Sequence, residues 1–290
     1  MRPTLLMSDL GDDQNSTEGD RHYRVAWKIN PHMAPGTTDL GLARGQHRGL
    51  AQALVDAGAD IVEAPFVTGA YDSVFMKDAA LLHAGEAQCT ALIARFRHAE
   101  RAPESIDRAT FLAAWGAKVV HAEVHLEGGD VALTDQCVYL GYGFRSERCA
   151  APLLRAHFAR PVVALRLIDP RLYHLDMALC LLPDRTALVC REAFTAHSLR
   201  ALERSVGIRE VVAVSLEDAL SMCLNVVTVG DTVVGGHTSP RVASILSQRK
   251  LRQHIVPLDQ FHRAGGGAAC LVARVYGPAS EQREQRTRAA

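Results

Sequence analysis

The sequence predicts an α/β fold assembled from five copies of one small unit, and three observations carry that prediction. Pairs of short apolar runs separated by turn residues recur along the chain, as β-hairpins do. Each pair leads to a stretch of helical periodicity and then to one more β-branched run. The first copy is one strand short, and the last apolar run of the chain can supply it.

In chain order, the incomplete copy comprises 23–29, a helix near 42–56 and a strand at 60–63. The second has strands at 73–82 and 89–96 joined by a longer loop, a helix at 105–115 and a strand at 119–124. The third runs through 130–133, 137–141, a helix at 147–158 and 162–167. The fourth runs through 178–182, Thr186–Cys190, a helix at 198–206 and 211–214. The fifth is the clearest hairpin, 225–229 and Thr232–Gly235 across Gly230-Asp231, then a helix at 241–249 and 254–258. The closing run is 270–276. Units of ~50 residues arranged in a ring protect their sheet edges from open solvent. The same alternation also suits a generic α/β domain. Residues 1–278 are read as a single domain, 11–21 as a polar surface loop or lid, and 279–290 as a charged C-terminal tail.

Composition narrows the function classes. The 290 residues carry 32 Lys plus Arg and 32 Asp plus Glu, so no global basic field points to nucleic acid or anionic membrane. No apolar run approaches the ~18–20 residues that span a bilayer. Residues 1–10 lack the basic and apolar regions of a signal peptide, so a cytoplasmic protein is expected. Seven cysteines without a C-x-x-C spacing argue against a disulfide framework or a structural zinc site. Most of these thiols are expected to be small hydrophobes.

Several residues carry candidate chemistry. Cys270 follows Gly265-Gly266-Gly267, which lets backbone pass close to another group and can present a thiol into a pocket; a buried, inert cysteine after a glycine turn fits equally. His174 and Asp176 share a face if their segment is a strand, which would set a proton shuttle beside a carboxylate; a surface His–Asp pair fits too. Asp72 and Asp78 share a face if extended, and two carboxylates facing one pocket call for a cation between them. A planar guanidinium is the natural guest, though solvated turn residues are the plainer reading. Glu127-Gly128-Gly129-Asp130 is an acidic strand entry or an ordinary turn. Arg101 and Arg145 follow hairpin strands at similar places and could clamp a carboxylate, or lie on the surface.

Taken together these pieces resemble the guanidino-group modifying enzymes, the pentein or amidinotransferase superfamily, most nearly the dimethylarginine dimethylaminohydrolases. The likeness runs through Ile29-Asn30-Pro31-His32-Met33, Tyr71-Asp72-Ser73-Val74-Phe75-Met76-Lys77-Asp78 and the stretch from Arg95 to Arg101. It continues through Glu127-Gly128-Gly129-Asp130, Gly141-Tyr142-Gly143-Phe144-Arg145, the stretch from Asp169 to Asp176, and the stretch from Ala264 to Cys270. The resemblance implies a five-bladed α/β propeller with pseudo-fivefold symmetry. It implies Cys270 as nucleophile, His174 as general acid and base, and Glu127 as its acidic partner. It implies Asp72, Asp78 and Asp176 as guanidinium holders, and Arg101 and Arg145 as the carboxylate clamp of a free amino acid. No metal or organic cofactor is implied. The partner is a small arginine-type substrate, and a homodimer is left open.

The implied reaction is attack of a thiolate on the guanidinium carbon, loss of an amine, and hydrolysis of the amidino-thioester to citrulline. Three departures bear on the subfamily. Lys77 stands where methylarginine hydrolases often carry an acid, and is expected to point away from Asp78. Tyr71 replaces a common proline. Asn30 and Asp176 resemble the arginine dihydrolase and deiminase branches. Methylarginine hydrolysis is the first reading; arginine deiminase or dihydrolase, and amidinotransferase, are the alternatives. The same propeller also occurs in a ribosome-binding translation factor without a catalytic role, which has no need of this coincidence of cysteine, histidine and acids.

Overall fold

The computed structural model describes residues 2–11, 21–85 and 87–277. Strand β1 (Thr4–Ser8) is followed by the helix Leu40–Asp56 and strand β2 (Asp60–Ala64). Strands β3 (Ala80–Ala84) and β4 (Cys89–Ile93) precede the helix Ala102–Ala114 and β5 (Lys118–His121). Strands β6 (Val131–Leu133) and β7 (Val138–Tyr142) precede the helix Ala151–Phe158 and β8 (Val162–Arg166). Strands β9 (Leu179–Leu181) and β10 (Thr186–Cys190) precede the helix Ala196–Glu203 and β11 (Glu210–Val214). Strands β12 (Val226–Val229) and β13 (Thr232–Gly235) precede the helix Pro240–Gln248, β14 (Arg252–Ile255) and the final β15 (Val272–Tyr276).

The pairing repeats. Strand β4 pairs antiparallel with β3 and parallel with β5. Strands β7, β10 and β13 do the same with their own neighbours. The first unit obtains its antiparallel partner from the chain's end: β15 pairs with β1, Leu6 opposite Ala273, and β1 runs parallel to β2. Strand β15 also pairs parallel with β3, which joins the first unit to the second in one six-stranded sheet.

Local chemistry explains the helices. The Asp39 side chain accepts from the Leu42 amide, and Thr195 and Ser239 cap their helices in the same way. Helix Leu40–Asp56 turns His47, Leu50, Ala53 and Leu54 inward at the spacing a buried stripe requires. Helix Ala102–Ala114 buries Glu104, Arg108 and Leu112, so two-thirds of its inner stripe is charged. Arg108 is held by neutral acceptors, donating to Ser8 Oγ at 2.7 Å and to the Ser73 carbonyl at 2.9 Å. The other helices lay apolar faces on the sheets, and the larger core clusters lie between them. Among the described residues, no helix is long and apolar enough to cross a membrane.

Three expectations are corrected. The first strand is Thr4–Ser8, not 23–29. The alternating apolar residues Tyr23 and Val25 are buried without forming a ladder, and the Tyr23 hydroxyl donates to the Gln260 carbonyl at 2.9 Å. The segment from Asp72 to Asp78 is not extended: Tyr71–Val74 is a 3-10 turn and Met76–Ala79 a single helical turn. Likewise Asp176 lies in the helical turn Leu175–Ala178, with His174 just before it. Those turns lead directly into β3 and β9. Most of the expected lid at 11–21 and the tail at 279–290 lie outside the described residues.

Candidate active site

Cys270 sits two residues before β15, and its sulfur is buried. Asn225 donates from Nδ2 to Sγ at 3.1 Å, while its Oδ1 accepts from the Ala269 and Cys270 amides at 3.0 and 3.3 Å. One side chain therefore orients both the thiol and the turn that carries it. Asp176 Oδ2 lies 3.8 Å from Sγ and accepts from Lys77 Nζ at 2.8 Å. The Lys77 amide donates to the Cys270 carbonyl at 3.1 Å, tying the Met76–Ala79 turn to the cysteine. Burial, then Asp176 and Asp78, push the Cys270 thiol well above its ordinary pKa, with Lys77 pulling the other way.

His174 is held on two sides. Its Nε2 lies 3.0 Å from Glu127 Oε2 and its Nδ1 3.6 Å from Asp78 Oδ1. Burial works against the imidazolium, but Asp78, Asp130 and Glu127 outweigh it and raise the pKa to about 9. Burial likewise opposes the Glu127 charge, and the His174 hydrogen bond and charge outweigh it, so that carboxylate stays below its usual range. Gly129 makes this approach possible: a Cβ there would lie 2.6 Å from both Asp78 Oδ1 and His174 Nδ1. Asp130 holds the neighbouring backbone, accepting from the Ser146 and Leu175 amides at 3.0 and 3.1 Å.

The two arginines differ. Arg101 gives Nε and Nη2 to Glu104 at 2.7 and 2.8 Å and Nη1 to Asp78 Oδ2 at 2.6 Å, with its guanidinium over Phe96. Arg145 reaches Glu127 Oε2 at 3.3 Å and the Ile29 carbonyl at 2.9 Å, and stacks on Tyr173. Both line a cavity of about 10 Å³ with Asn30, Asp72 and Asp78. Asp72 Oδ2 accepts from Trp27 Nε1 at 2.8 Å, and its Oδ1 is buried without a hydrogen-bond partner. Asn30 Nδ2 donates to the Ala264 carbonyl at 3.0 Å, bracing the glycine turn ahead of Cys270.

All nine residues singled out in the sequence are thus buried, and the arginines are joined to His174 through Asp78, which touches Arg101, and Glu127, which touches Arg145. Asp72 and Asp78 do not act as one pair. Asp72 faces Trp27 and the arginines, while Asp78 belongs with His174. His174 and Asp176 also part company, because a helical turn sends one toward Glu127 and the other toward Lys77. Lys77, expected to point away from Asp78, has its ammonium on Asp176. Sequence reasoning missed Asn225, Glu104 and Trp27. A polar residue opening the apolar run 225–229 is the only signal of Asn225, and a Glu three residues after Arg101 the only signal of Glu104.

A second cavity, of about 120 Å³, lies on the Lys77 and Asp176 side and shares no lining residue with the first. Among the described residues, Asp78, Glu127 and His174 form one group close enough to offer ligand atoms to a metal ion. Arg101 and Arg145 already occupy those carboxylates, so a divalent ion would have to displace guanidinium groups.

No protein-family model matches the chain. The chain is 31% identical over 258 residues to an N(G),N(G)-dimethylarginine dimethylaminohydrolase of Mycobacterium tuberculosis, covering 88% of this chain and 83% of that protein. It is 32% identical over 269 residues to the bifunctional arginine dihydrolase/ornithine cyclodeaminase ArgZ of a Synechocystis species, where the match spans 89% of this chain but 37% of that longer protein. Among solved structures, the N-terminal domain of the cyanobacterial ArgZ, bound to product, superposes with a TM-score of 0.87 at 29% identity, covering 96% of this chain and 99% of that one. These relatives, with the α/β fold and the buried cysteine, define a class of guanidino-group modifying enzymes. The chain belongs to the dimethylarginine dimethylaminohydrolase and arginine dihydrolase family.

Proposed function

We propose that the protein hydrolyses the guanidinium group of N-methylated arginine, or of a close arginine derivative, to citrulline and an amine through a covalent adduct on Cys270. The observation that carries this reading is a buried thiol flanked by Asp176, with a histidine kept protonated by Glu127 and Asp78 close by in the same network. Those groups supply a nucleophile, acids to orient a cation, and a proton donor. Arg145 and Arg101 would take the α-carboxylate. Asp72, with one oxygen unsatisfied beside them, is better placed for the α-ammonium than for the guanidinium. Asp78 and Asp176 then remain for the guanidinium.

The steps follow from the charges. A guanidinium held beside Cys270 stabilises the thiolate, which attacks the carbon. His174 gives its proton to the departing nitrogen as the C–N bond breaks. A water then loses its proton to His174 and adds to the amidino-thioester, and the C–S bond breaks to release citrulline. Conversion of arginine itself is the second reading, favoured by the close superposition on the arginine dihydrolase domain.

The five units are read as blades of one propeller-like domain spanning 1–278. Strands β6, β9, β12 and β15, from the third, fourth, fifth and first units, and Lys77, from the second, all line the same cavity, as inner strands around a central channel would.

The test is a product panel. The protein is incubated separately with arginine, monomethylarginine, asymmetric dimethylarginine and hydroxyarginine, and citrulline, ornithine and released amine are assayed. Citrulline from methylated substrates alone supports the first reading. Citrulline or ornithine from arginine moves the protein to the second, and no product from any of them overturns both.

A further inference from the structure

The acids around the catalytic pair already have cations of their own. Asp78 Oδ2 lies 2.6 Å from Arg101, Glu127 Oε2 lies 3.3 Å from Arg145, and Asp176 Oδ2 lies 2.8 Å from Lys77. The third pairing differs from the others because it adjoins the nucleophile. The Asp176 oxygen that binds Lys77 is the one 3.8 Å from the Cys270 sulfur. Lys77 is fixed there through its backbone as well, its amide on the Cys270 carbonyl.

The groups facing this pair are few. Lys77 meets Asp176, Cys270, Tyr276 and Cys180, and Asp176 outweighs burial to hold the ammonium charged. Cys270 meets Asp176 and Asp78, which disfavour its thiolate, Lys77, which favours it, and the Tyr173 and Asn225 side chains. Asp176 Oδ1 has no hydrogen-bond partner and is free to accept from a substrate.

The geometry points to Lys77 as a specificity-determining residue: its ammonium, fixed on Asp176 beside the Cys270 sulfur, supplies within the protein the positive charge that a cationic substrate would otherwise bring, and so admits weakly basic guanidines such as N-hydroxyarginine. The inference rests on the amidinohydrolase reading and names its substrate class. A full guanidinium entering this site must shed its water among acids whose charge is largely spent on built-in cations. A neutral N-hydroxyguanidine avoids that cost, and its hydroxyl can donate to Asp176 Oδ1. The thiolate adds to the carbon, hydroxylamine leaves with the His174 proton, and water releases citrulline. The sum is N-hydroxyarginine plus water giving citrulline plus hydroxylamine, with no redox step.

Two measurements on the full-length protein test this. The first is the pH dependence of iodoacetamide alkylation of Cys270 without substrate, in wild type, Lys77→Met and Lys77→Arg. Loss of the cation should raise the alkylation midpoint by about one unit, roughly a tenfold loss of thiolate below it, while Lys77→Arg should keep it. The second is kcat/KM for N-hydroxyarginine relative to monomethylarginine, with hydroxylamine and methylamine measured directly. Wild type should favour the hydroxylated substrate, and Lys77→Met should lower that ratio at least tenfold. If Lys77→Met fails to fold, Lys77→Gln, which can still hydrogen-bond Asp176, replaces it. An unshifted midpoint overturns the inference whatever the activity. Turnover of monomethylarginine without turnover of N-hydroxyarginine also overturns it, while the function reading stands. Turnover of neither overturns both the inference and the first function reading.

Discussion

The His174 half of the site and the Cys270 half are built on different principles. Around His174 every charge is answered by another inside the protein, through Glu127, Asp78, Arg101, Arg145 and Glu104. Around Cys270 the contacts are sparse: one amide, one carboxylate with a free oxygen, and one ammonium. The first half is set before any substrate arrives, because an acid catalyst needs its proton already in place. The second is left incomplete, because a nucleophile needs its charge only when the electrophile is present. A buried charge network is costly to break at any one member, so the two halves should respond differently to mutation.

The largest effect is expected at the sparse half. Cys270→Ala should lower turnover by about 10⁴-fold or more and leave the fold intact, since the sulfur bears on little but Asn225 and Asp176. Circular dichroism and the product assay together check this; substantial residual turnover would remove the cysteine from the mechanism.

Next comes the histidine. Glu127→Gln should lower kcat by about 10²- to 10⁴-fold. Loss of a carboxylate at 3.0 Å removes one of the charges that raise His174 to about 9, so the alkaline limb of the pH profile should move to lower pH. The same shift has a stability consequence. Since the His174 pKa is higher folded than unfolded, its contribution is complete below the unfolded value near 6.5 and is lost as pH rises through about 9. Urea melts of wild type at pH 6 and pH 9.5 should show that loss, and Glu127→Gln should shrink it.

The two arginines sharpen the contrast within the ordered half. Arg101→Ala strands Glu104 and Asp78 in the interior and should cost about 3–5 kcal/mol of stability, read from denaturant midpoints. Arg145→Ala leaves Glu127 still bonded to His174, so its main effect should be a higher KM. Equal destabilisation by both would mean that Arg145 is as much a structural counter-ion as Arg101.

Much of the fold was legible because the hairpin–helix–strand period survives in the apolar pattern, and four of the five units follow it to within a few residues at most boundaries. The first unit was harder. Its antiparallel partner comes from the far end of the chain, and alternation at Tyr23 and Val25 imitates a strand without pairing as one. The site residues were named from motif resemblance, but their grouping was not. Period-two reasoning put Asp72 with Asp78 and His174 with Asp176, but Asp72 lies in a 3-10 turn and Asp78 in the helical turn after it, while Asp176 lies in a helical turn that His174 precedes, so neither pair shares a strand face. Asn225 was invisible for another reason: a single polar residue at the mouth of an apolar hairpin gives no sign of what it faces across the fold.

Asn225 also gives the finest test of the sparse half. Its amide does two things: Nδ2 bonds the sulfur, and Oδ1 holds the Ala269 and Cys270 amides. Asn225→Asp keeps the acceptor and replaces the donor with a charge beside the thiol, whereas Asn225→Ala loses both. If the sulfur contact matters most, Asn225→Asp should raise the alkylation midpoint of Cys270 and lower kcat more than Asn225→Ala does. If holding the turn matters most, Asn225→Ala should be the worse variant, by about tenfold, the worth of one or two hydrogen bonds near a charged group. Stopped-flow alkylation and steady-state rates on the two variants separate these outcomes. The first is expected, because the Leu271 amide reaches the Gly267 carbonyl at 3.3 Å and the Val272 amide the Ala269 carbonyl at 3.2 Å, so the turn has support of its own.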